Sequence, residues 1–282
     1  MARVRCSGLN WKDRVMQKIV FIGRAPRYSP HCVEKDAAIL AAVRSRLEQD
    51  GYSCGEVIAE EQLTVLPEGD AYVSMGRGDR ALGLLYAERH VPVVNSAESV
   101  MWASARRSMM RQLEREDIAV PPHRGNDGYW VKRGNGTAES EADVVYVPTM
   151  QGVEDAVRTM RQRGLRPEVR AHVVGDLVKC YAVRGTAFFR YYYPGDDGQW
   201  KFGSEEHNGK PQHTPFDLAA LQAMLDRAAG IVGLDVYGGD CIIQPDGKPV
   251  LVDLNDWPSF SRCREEAAEA ITKRIKQLLE RE

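Results

Sequence analysis

The sequence predicts a protein that joins an α/β unit to an α+β unit, and two patterns in the chain support this fold class. Over residues 18–95, apolar runs of strand length alternate with segments of helical periodicity, which is typical of a small parallel sheet. Near the C-terminus, two apolar runs flank an Asp-Gly turn at residues 246–247, which indicates a β-hairpin. Strand pairing is therefore expected to differ between the two ends of the chain.

The first strand of the α/β unit is an apolar run over residues 18–23 that ends in glycine. A helix is predicted over residues 34–50, because its apolar residues recur at helical spacing until Gly51. The same criteria place three further strands and one further helix, at residues 54–58, 71–75, 91–94 and 80–89. The charged residues 1–17 lack the apolar core of a signal peptide and are expected to form an arm.

Composition excludes several classes of protein. The 282 residues are 43% hydrophobic and 28% charged, with a net charge of −2, so no basic field favours a nucleic-acid partner. No apolar run approaches the roughly 20 residues that a membrane-spanning helix needs. Six cysteines without a Cys-x-x-Cys pair are typical of reduced thiols in a cytoplasmic protein. We expect a cytoplasmic protein without a membrane partner, and a homo-oligomer stays possible.

The middle of the chain carries cations at the ends of predicted elements. A helix is predicted over residues 96–116, where Ser96 can cap the start and the prolines that follow cannot continue it. Lys132 ends an apolar strand beside the glycine loop at residues 134–136. A lysine in this position can contact nucleotide phosphates.

Lys179 and Arg190 lie on neighbouring predicted strands, within residues 168–183 and 186–194. Both side chains could face a cleft, and burying them would require an anion. Charges on an exposed sheet surface are the alternative. The polar, glycine-rich residues 195–215 that follow are predicted to form a surface loop that could act as a lid.

The hairpin carries the most specific chemistry in the chain. Asp253 and Asn255 are two residues apart on the second strand, so their side chains point to the same side. Asp240 lies on the partner strand near the level of Asp253. Two carboxylates and an amide oxygen that converge on one face are suitable ligands for Mg²⁺. An exposed acidic hairpin is the alternative.

Four segments, in this order, resemble the ATP-grasp superfamily over about residues 18–280. They are the helix 96–116 with Ile118-Ala119-Val120-Pro121, the strand Trp130-Val131-Lys132, the segment Arg170-Ala171-His172-Val173, and Gly239-Asp240 with Val252-Asp253-Leu254-Asn255-Asp256-Trp257-Pro258. The last segment resembles the family's metal signature, because three oxygen ligands agree in type and spacing.

The resemblance implies a fold in which a small parallel α/β domain precedes two α+β subdomains that enclose ATP. The implied boundaries are residues 1–17 for the arm, 18–97 for the first domain, and 98–168 and 169–282 for the two subdomains. The implied chemistry is transfer of the γ-phosphoryl group of ATP to a carboxylate, followed by attack of an amine on the acylphosphate.

The resemblance also implies a role for each matching residue. Asp240, Asp253 and Asn255 would hold Mg²⁺. Lys132 and Arg106 would bind phosphates, with Arg106 standing where the family usually has lysine. The backbone of Ala171, His172 and Val173 would hold adenine, and Lys179 and Arg190 would contact the acceptor anion or the γ-phosphate.

Asp253 and the strand around Lys179 keep a second function open. Asp253 replaces the usual glutamate, as in inositol-phosphate kinases, and Lys179 lies in a strand that also resembles that branch. Asp117 and Ser259 stand where glycines are usual. We therefore predict a carboxylate–amine ligase, with a kinase for a phosphorylated small molecule as the alternative. The complete metal set argues against a nucleotide-binding module without catalysis.

Overall fold

The computed structural model describes residues 16–30, 32–88, 90–136, 138, 140–196 and 207–280. The predicted arm therefore lies almost entirely outside the described residues, as do residues 197–206 of the predicted loop. The strands are β1 (Lys18–Gly23), β2 (Ser53–Ala59), β3 (Ala71–Ser74), β4 (Val93–Val94), β5 (Tyr129–Arg133), β6 (Val144–Val147), β7 (Pro167–Ala171), β8 (Asp176–Val183), β9 (Phe189–Tyr192), β10 (Val236–Ile243) and β11 (Pro249–Asp256). The helices are α1 (Val33–Gln49), α2 (Asp79–Ala87), α3 (Ala97–Ser104), α4 (Arg106–Arg115), α5 (Met150–Gln162), α6 (Leu218–Val232) and α7 (Arg264–Leu279).

The first sheet is parallel, in the order β2-β1-β3-β4, as the alternation of strands and helices predicts. Its central strand is buried on both faces. Ile19 and Phe21 lie in one apolar cluster with α1 and α7, whereas Val20 and Ile22 lie in another with α2 and α3. A parallel sheet needs helices on both faces, because both sides of each strand are apolar.

Helix α7 supplies one of these layers although it ends the chain. Its apolar residues Ala267 and Ile271 belong to the same cluster as Phe21 on β1, together with Trp257 and Phe260 from the segment after β11. Helix α7, which belongs to the predicted subdomain 169–282, thus completes the core of the parallel sheet.

Two antiparallel sheets follow along the chain, as expected for an α+β arrangement. One has the order β6-β5-β7, and the other has the order β11-β10-β8-β9. The boundary predicted at residue 169 falls inside β7. Since β7 pairs with β5, the change from one sheet to the next occurs after Ala171.

The single helix predicted over residues 96–116 is wrong, because the chain forms α3 and α4 with a break at Ala105. The glycine loop after β5 explains the break. Gly136 N donates to Ser104 O at 2.9 Å, and Arg107 N donates to Gly134 O at 3.3 Å. The loop thus provides hydrogen bonds at the junction, and Arg106 becomes the first residue of α4.

Strand β10 begins at Val236, four residues before Asp240, where the strand is predicted to start. Gly238 and Gly239 do not end the strand, because both pair with β8 on one side and with β11 on the other. A Cβ atom on Gly239 would lie 2.5 Å from Leu225 Cδ2, so helix α6 can pack closely only against glycine.

Five cysteines of the described residues, Cys32, Cys54, Cys180, Cys241 and Cys263, are free thiols. Among the same residues, no helix has both the length and the hydropathy to cross a membrane.

Candidate functional site

One cavity lies between the two antiparallel sheets and extends to the loops that follow β1 and β3. It brings together residues from all three sheets. The residues that matter for its chemistry are Arg24, Asp36, Arg77, Arg106, Trp130, Lys132, Ala171, His172, Val173, Lys179, Asp240, Asp253, Asn255 and Asp256. All predicted site residues except Arg190 therefore line the same cavity.

The hairpin places the three candidate metal ligands on one face. Asp240 on β10 pairs directly with Asp253 on β11, and Asn255 pairs with Gly238, so their side chains share one side of the sheet. On the other side of β10, Lys179 pairs with Asp240, and its Nζ lies 3.6 Å from Asp240 Oδ2. Register thus brings two carboxylates, an amide and an ammonium group together.

Arg106 is the closest cation to Asp253. Its Nη1 lies 2.6 Å from Asp253 Oδ1, and both side chains are largely buried. Burial would raise the pKa of Asp253, but the charges of Arg106 and Lys132 and hydrogen bonds from Arg106 and Asn255 outweigh it, so the pKa is lowered. Asp253 is therefore ionised at neutral pH and can serve as a ligand.

Lys132 reaches the cavity from the opposite sheet. It lies on β5 on the same side as Trp130, with its Nζ 5.9 Å from the centroid of the Trp130 ring. Because its charge acts on Asp253 across the cavity, the two sheets enclose one electrostatic site rather than two separate ones.

The segment between β7 and β8 borders the other end of the cavity. Ala171 N donates to Pro122 O, and His172 N donates to Gly128 O, both at 2.8 Å. Within the described residues, the N–H of Val173 has no such partner, so Val173 offers a donor to a ligand. Of the three residues predicted to hold adenine, Val173 thus has a backbone N–H available to a ligand.

The His172 side chain is part of an aromatic cluster at this end. Its Nδ1 accepts a hydrogen bond from Trp130 Nε1 at 3.0 Å, and its ring lies 5.4 Å from that of His207. His207 in turn stacks on Tyr146 with ring centroids 3.5 Å apart. Burial lowers the pKa of His172, and the neighbouring His207 lowers it further. A neutral His172 matches its role as acceptor to Trp130.

The described part of the predicted loop 195–215 is held by Asp176 at the start of β8. Gln212 N and Thr214 N donate to the two carboxylate oxygens at 2.6 and 2.8 Å. His213 Nε2 lies 3.1 Å from Asp196 Oδ1. Asn208 of the same segment lines the cavity. The loop thus returns to the rim of the site.

Arg190 shares the sheet face of Lys179, because it pairs with Tyr181 on β8. It does not line the cavity. Its guanidinium donates to Glu266 on α7 and to the carbonyl of Phe189, and about half of the side chain is exposed. The structure thus places Lys179 at the cavity, whereas Arg190, for which the resemblance implies contact with the acceptor anion or the γ-phosphate, lies at the exposed sheet surface.

A second charged cluster, formed by Arg24, Asp36, Arg77 and Asp256, closes the cavity at the parallel sheet. Arg77 is ion-paired with Asp256, and Arg77 Nε lies 3.3 Å from Asp256 Oδ2. Arg24 Nη1 lies 3.5 Å from Asp36 Oδ2, and Arg24 Nη2 lies 3.7 Å from Asp256 Oδ2. All four side chains are at most 8% exposed, and burial together with the charge of Arg77 lowers the pKa of Arg24.

No sequence pattern identifies Asp36 and Asp256 as partners of Arg24 and Arg77. A sequence pattern could still have placed the two arginines at the cavity, because both follow strands of a parallel sheet, where ligand crevices form. Arg170 was also missed as a cavity residue. It is bound to Glu168 and Glu114, and its Nη2 is buried without a hydrogen-bond partner among the described residues.

The residues present fit a magnesium–nucleotide complex. The hairpin offers hard oxygen ligands, which Mg²⁺ prefers. Arg106 Nε is buried and has no hydrogen-bond partner in the described part of the chain, and a phosphate oxygen would satisfy it. The cations of Lys132 and Lys179 border the same space.

A parallel α/β unit followed by two antiparallel sheets that enclose a cavity is the architecture of the ATP-grasp fold, and solved structures confirm this fold. An ATP-grasp RimK-domain protein from Sphaerobacter thermophilus aligns with a TM-score of 0.61 and 18% identity, over 92% of this chain and 99% of that chain. A D-alanine–D-alanine ligase from Bacillus anthracis complexed with ATP aligns with a TM-score of 0.59 and 11% identity, over 94% and 99%.

Sequence similarity to curated proteins is weaker. A D-alanine–D-alanine ligase from Pseudarthrobacter chlorophenolicus is 23% identical over 168 residues, which cover 54% of this chain and 44% of that protein. The chain thus matches less than half the length of this relative. No protein-family model matches the chain.

Proposed function

We propose that the protein is an ATP-dependent, ADP-forming ligase that joins a carboxylate to an amine. The observation that carries this proposal is the convergence of Asp240, Asp253 and Asn255 with Arg106, Lys132 and Lys179 in one cavity. Carboxylates for a metal and cations for phosphates are the groups that phosphoryl transfer requires. Ligases among the proteins that share the fold or part of the sequence support the same chemistry.

The nucleotide would lie between the two antiparallel sheets. The free N–H of Val173 would donate to the base, and Lys132 and Arg106 would bind the phosphates. Asp240, Asp253 and Asn255 would hold Mg²⁺, which when bound neutralises charge on the β- and γ-phosphates. Lys179, beside Asp240, would stabilise negative charge on the transferred group.

The proposed reaction has two steps. An oxygen of the acceptor carboxylate bonds to the γ-phosphorus while the bond from that phosphorus to the β–γ bridging oxygen breaks, which gives an acylphosphate and ADP. A neutral amine nitrogen then bonds to the acyl carbon. The bond from that carbon to the phosphate oxygen breaks, phosphate leaves with its electron pair, and the nitrogen releases one proton to solvent. The enclosing sheets would keep water from the acylphosphate.

The second charged cluster favours a ligase over a kinase for polyphosphates. At this end of the cavity, Arg24 and Arg77 follow strands of the parallel sheet. The carboxylates of Asp36 and Asp256 already compensate their positive charges. An acceptor with several phosphates would need several cations without internal carboxylate partners. A nearly neutral end suits an acceptor with a single carboxylate.

³¹P NMR with Mg·ATP tests the proposal. One sample contains a pool of carboxylates and amines, and the other contains a pool of phosphorylated polyols. A ligase releases ADP and equal amounts of free phosphate only when both a carboxylate and an amine are present. A new phosphoester resonance without free phosphate would instead identify a kinase, and absence of turnover in both pools would contradict both functions.

A further inference from the structure

The loops after β1 and β3 are joined by one buried carboxylate. Glu60 directly follows β2, and 5% of its surface is exposed. Its Oε1 accepts a hydrogen bond from Ala25 N at 2.5 Å, in the loop after β1. Its Oε2 accepts hydrogen bonds from Arg77 N at 2.7 Å and from Gly78 N at 2.6 Å, in the loop after β3. Three backbone N–H groups from two loops thus share one side chain.

The hydrogen bonds to Oε2 lie at the start of α2, where Gly78 is the N-cap residue. The first N–H groups of a helix have no partner within the helix, and a negative charge beside them is favourable. A Cβ atom on Gly78 would lie 3.1 Å from Glu60 Oε2, so glycine at this position allows the carboxylate to approach closely. The contact between Glu60 and the second loop therefore has a local physical cause.

Each of the two loops carries one arginine of the second charged cluster. Arg24 directly precedes Ala25, and the N–H of Arg77 is itself bound by Glu60. The side chains of both arginines form ion pairs with Asp256 at the cavity. Glu60 does not line the cavity as the structure describes it, so its effect on the cavity passes through the backbones of the two loops.

We propose that Glu60 is a positioning residue for the acceptor, because it holds the loops after β1 and β3 in the arrangement in which Arg24 and Arg77 close the cavity. This inference rests on the proposed function, which places the acceptor at this end. The nucleotide would lie between the two antiparallel sheets, away from Glu60. Loss of the carboxylate should therefore weaken binding of the acceptor and have little effect on ATP.

Three substitutions at Glu60 separate its hydrogen bonds from its charge. In Glu60→Gln the amide oxygen can replace Oε2 and accept from the loop after β3, but the NH₂ group then faces Ala25 N, which is also a donor. Glu60→Asp keeps the charge, but its side chain is one methylene shorter and cannot reach both loops. Glu60→Ala removes the contacts to both loops.

Amide hydrogen exchange, followed by NMR, tests the contacts without turnover. In Glu60→Gln, exchange at Ala25 should accelerate by about ten-fold or more, because a hydrogen bond to a charged group is lost. Exchange at Arg77 and Gly78 should change less in this variant. In Glu60→Ala, exchange should accelerate at all three positions. Unchanged exchange at Ala25 in both variants would overturn the inference.

Steady-state kinetics test the positioning role, with the carboxylate and amine of the pool that support ADP release. The KM for the carboxylate should rise by about ten-fold in Glu60→Gln and in Glu60→Asp, and kcat and the KM for ATP should change by less than about two-fold. Glu61→Gln is the matched control, since it removes the same charge from the exposed neighbour of Glu60 and should change neither KM. A wild-type KM in Glu60→Asp alone would assign the effect to charge and contradict the bridge between the loops.

The outcomes distinguish this inference from the proposed function. A wild-type KM for the carboxylate in Glu60→Gln, or an equal rise of both KM values, would overturn the inference and leave the ligase standing. Glu60→Asp serves the same test if Glu60→Gln does not fold, and failure of both to fold would assign Glu60 a structural role alone. If the wild type forms no ADP from the pool of carboxylates and amines, the proposed function fails and the inference fails with it.

Discussion

The sequence pattern predicts the position of Asp253 on the hairpin, but it does not predict which residues surround its side chain. Its two-residue spacing from Asn255 and its level with Asp240 are local properties of a hairpin, and the observed register agrees with them. Its contact with Arg106 joins positions far apart in the chain. Only the fold reveals that the proposed ligand is already paired with a cation.

Asp253→Asn should abolish Mg²⁺-dependent ADP formation and leave the fold nearly intact. Asparagine keeps the shape and one oxygen, but it loses the charge that a hard cation requires. We expect activity to fall by on the order of a hundred-fold or more. ADP release at increasing Mg²⁺ measures the loss, and circular dichroism reports the fold.

Asp246→Asn is the matched control for this change. Asp246 lies at the exposed tip of the same hairpin and pairs with Lys248 at the surface. Its replacement should leave activity unchanged, because surface pairs contribute little. Wild-type turnover by Asp253→Asn would remove Asp253 from the proposed metal-ligand set.

At the scale of elements, the C-terminal end of α4 explains how Asp117 can stand where the ATP-grasp pattern usually has glycine. Ile118 N donates to Leu113 O at 2.9 Å, and Asp117 N donates to Glu114 O at 3.2 Å. This is the Schellman arrangement of a helix C-terminus, and Asp117 has the left-handed φ of 55° that the arrangement requires. Ile118 and Leu113 belong to the same apolar cluster.

Asp117→Gly should therefore stabilise the protein by about 0.5–1 kcal/mol, because glycine adopts the left-handed conformation without strain. Asp117→Ala should destabilise it, since the left-handed conformation is more strained for alanine than for aspartate. Urea unfolding measures both differences. A lower midpoint for Asp117→Gly than for the wild type would show that the aspartate side chain contributes more than the strain costs.

The secondary-structure elements that depend on neighbouring residues alone were predictable from the sequence. Strand β1, helix α1 and the hairpin follow from apolar spacing and an Asp-Gly turn. The break at Ala105 does not, because hydrogen bonds from the glycine loop at residues 134–136 make the junction. The early start of β10 was missed for a similar reason, since its two glycines pair with strands on both sides.

At the scale of the whole molecule, two buried aspartates tie distant segments together. Asp235 joins Arg184, which follows β8, to Arg274 on α7. Asp256 joins Arg24 and Arg77, in the loops after β1 and β3, to the hairpin of β10 and β11. Arg77 and Asp256 are 179 positions apart, so no local pattern could predict the contact. Of the two clusters, the one around Asp256 borders the cavity.

Asp256→Asn should weaken binding of the acceptor, because it releases the two arginines that close the cavity. Asp235→Asn provides a comparison, since it also removes one carboxylate from between two arginines, of which Arg274 is buried and Arg184 is about one third exposed. Each change should lower the free energy of unfolding by about 3–5 kcal/mol, the usual result when one partner of a buried ion pair is lost. Urea unfolding measures this common effect.

The two variants should differ in kinetics at a temperature where both remain folded. Asp256→Asn should raise the KM for the acceptor by about ten-fold, an energy of about 1.4 kcal/mol, and change the KM for ATP little. Asp235→Asn should change neither KM, because its arginines do not line the cavity. Equal changes in both variants would show that Asp256 acts only through stability. A change confined to Asp256→Asn would support the acceptor end of the cavity at the loops after β1 and β3.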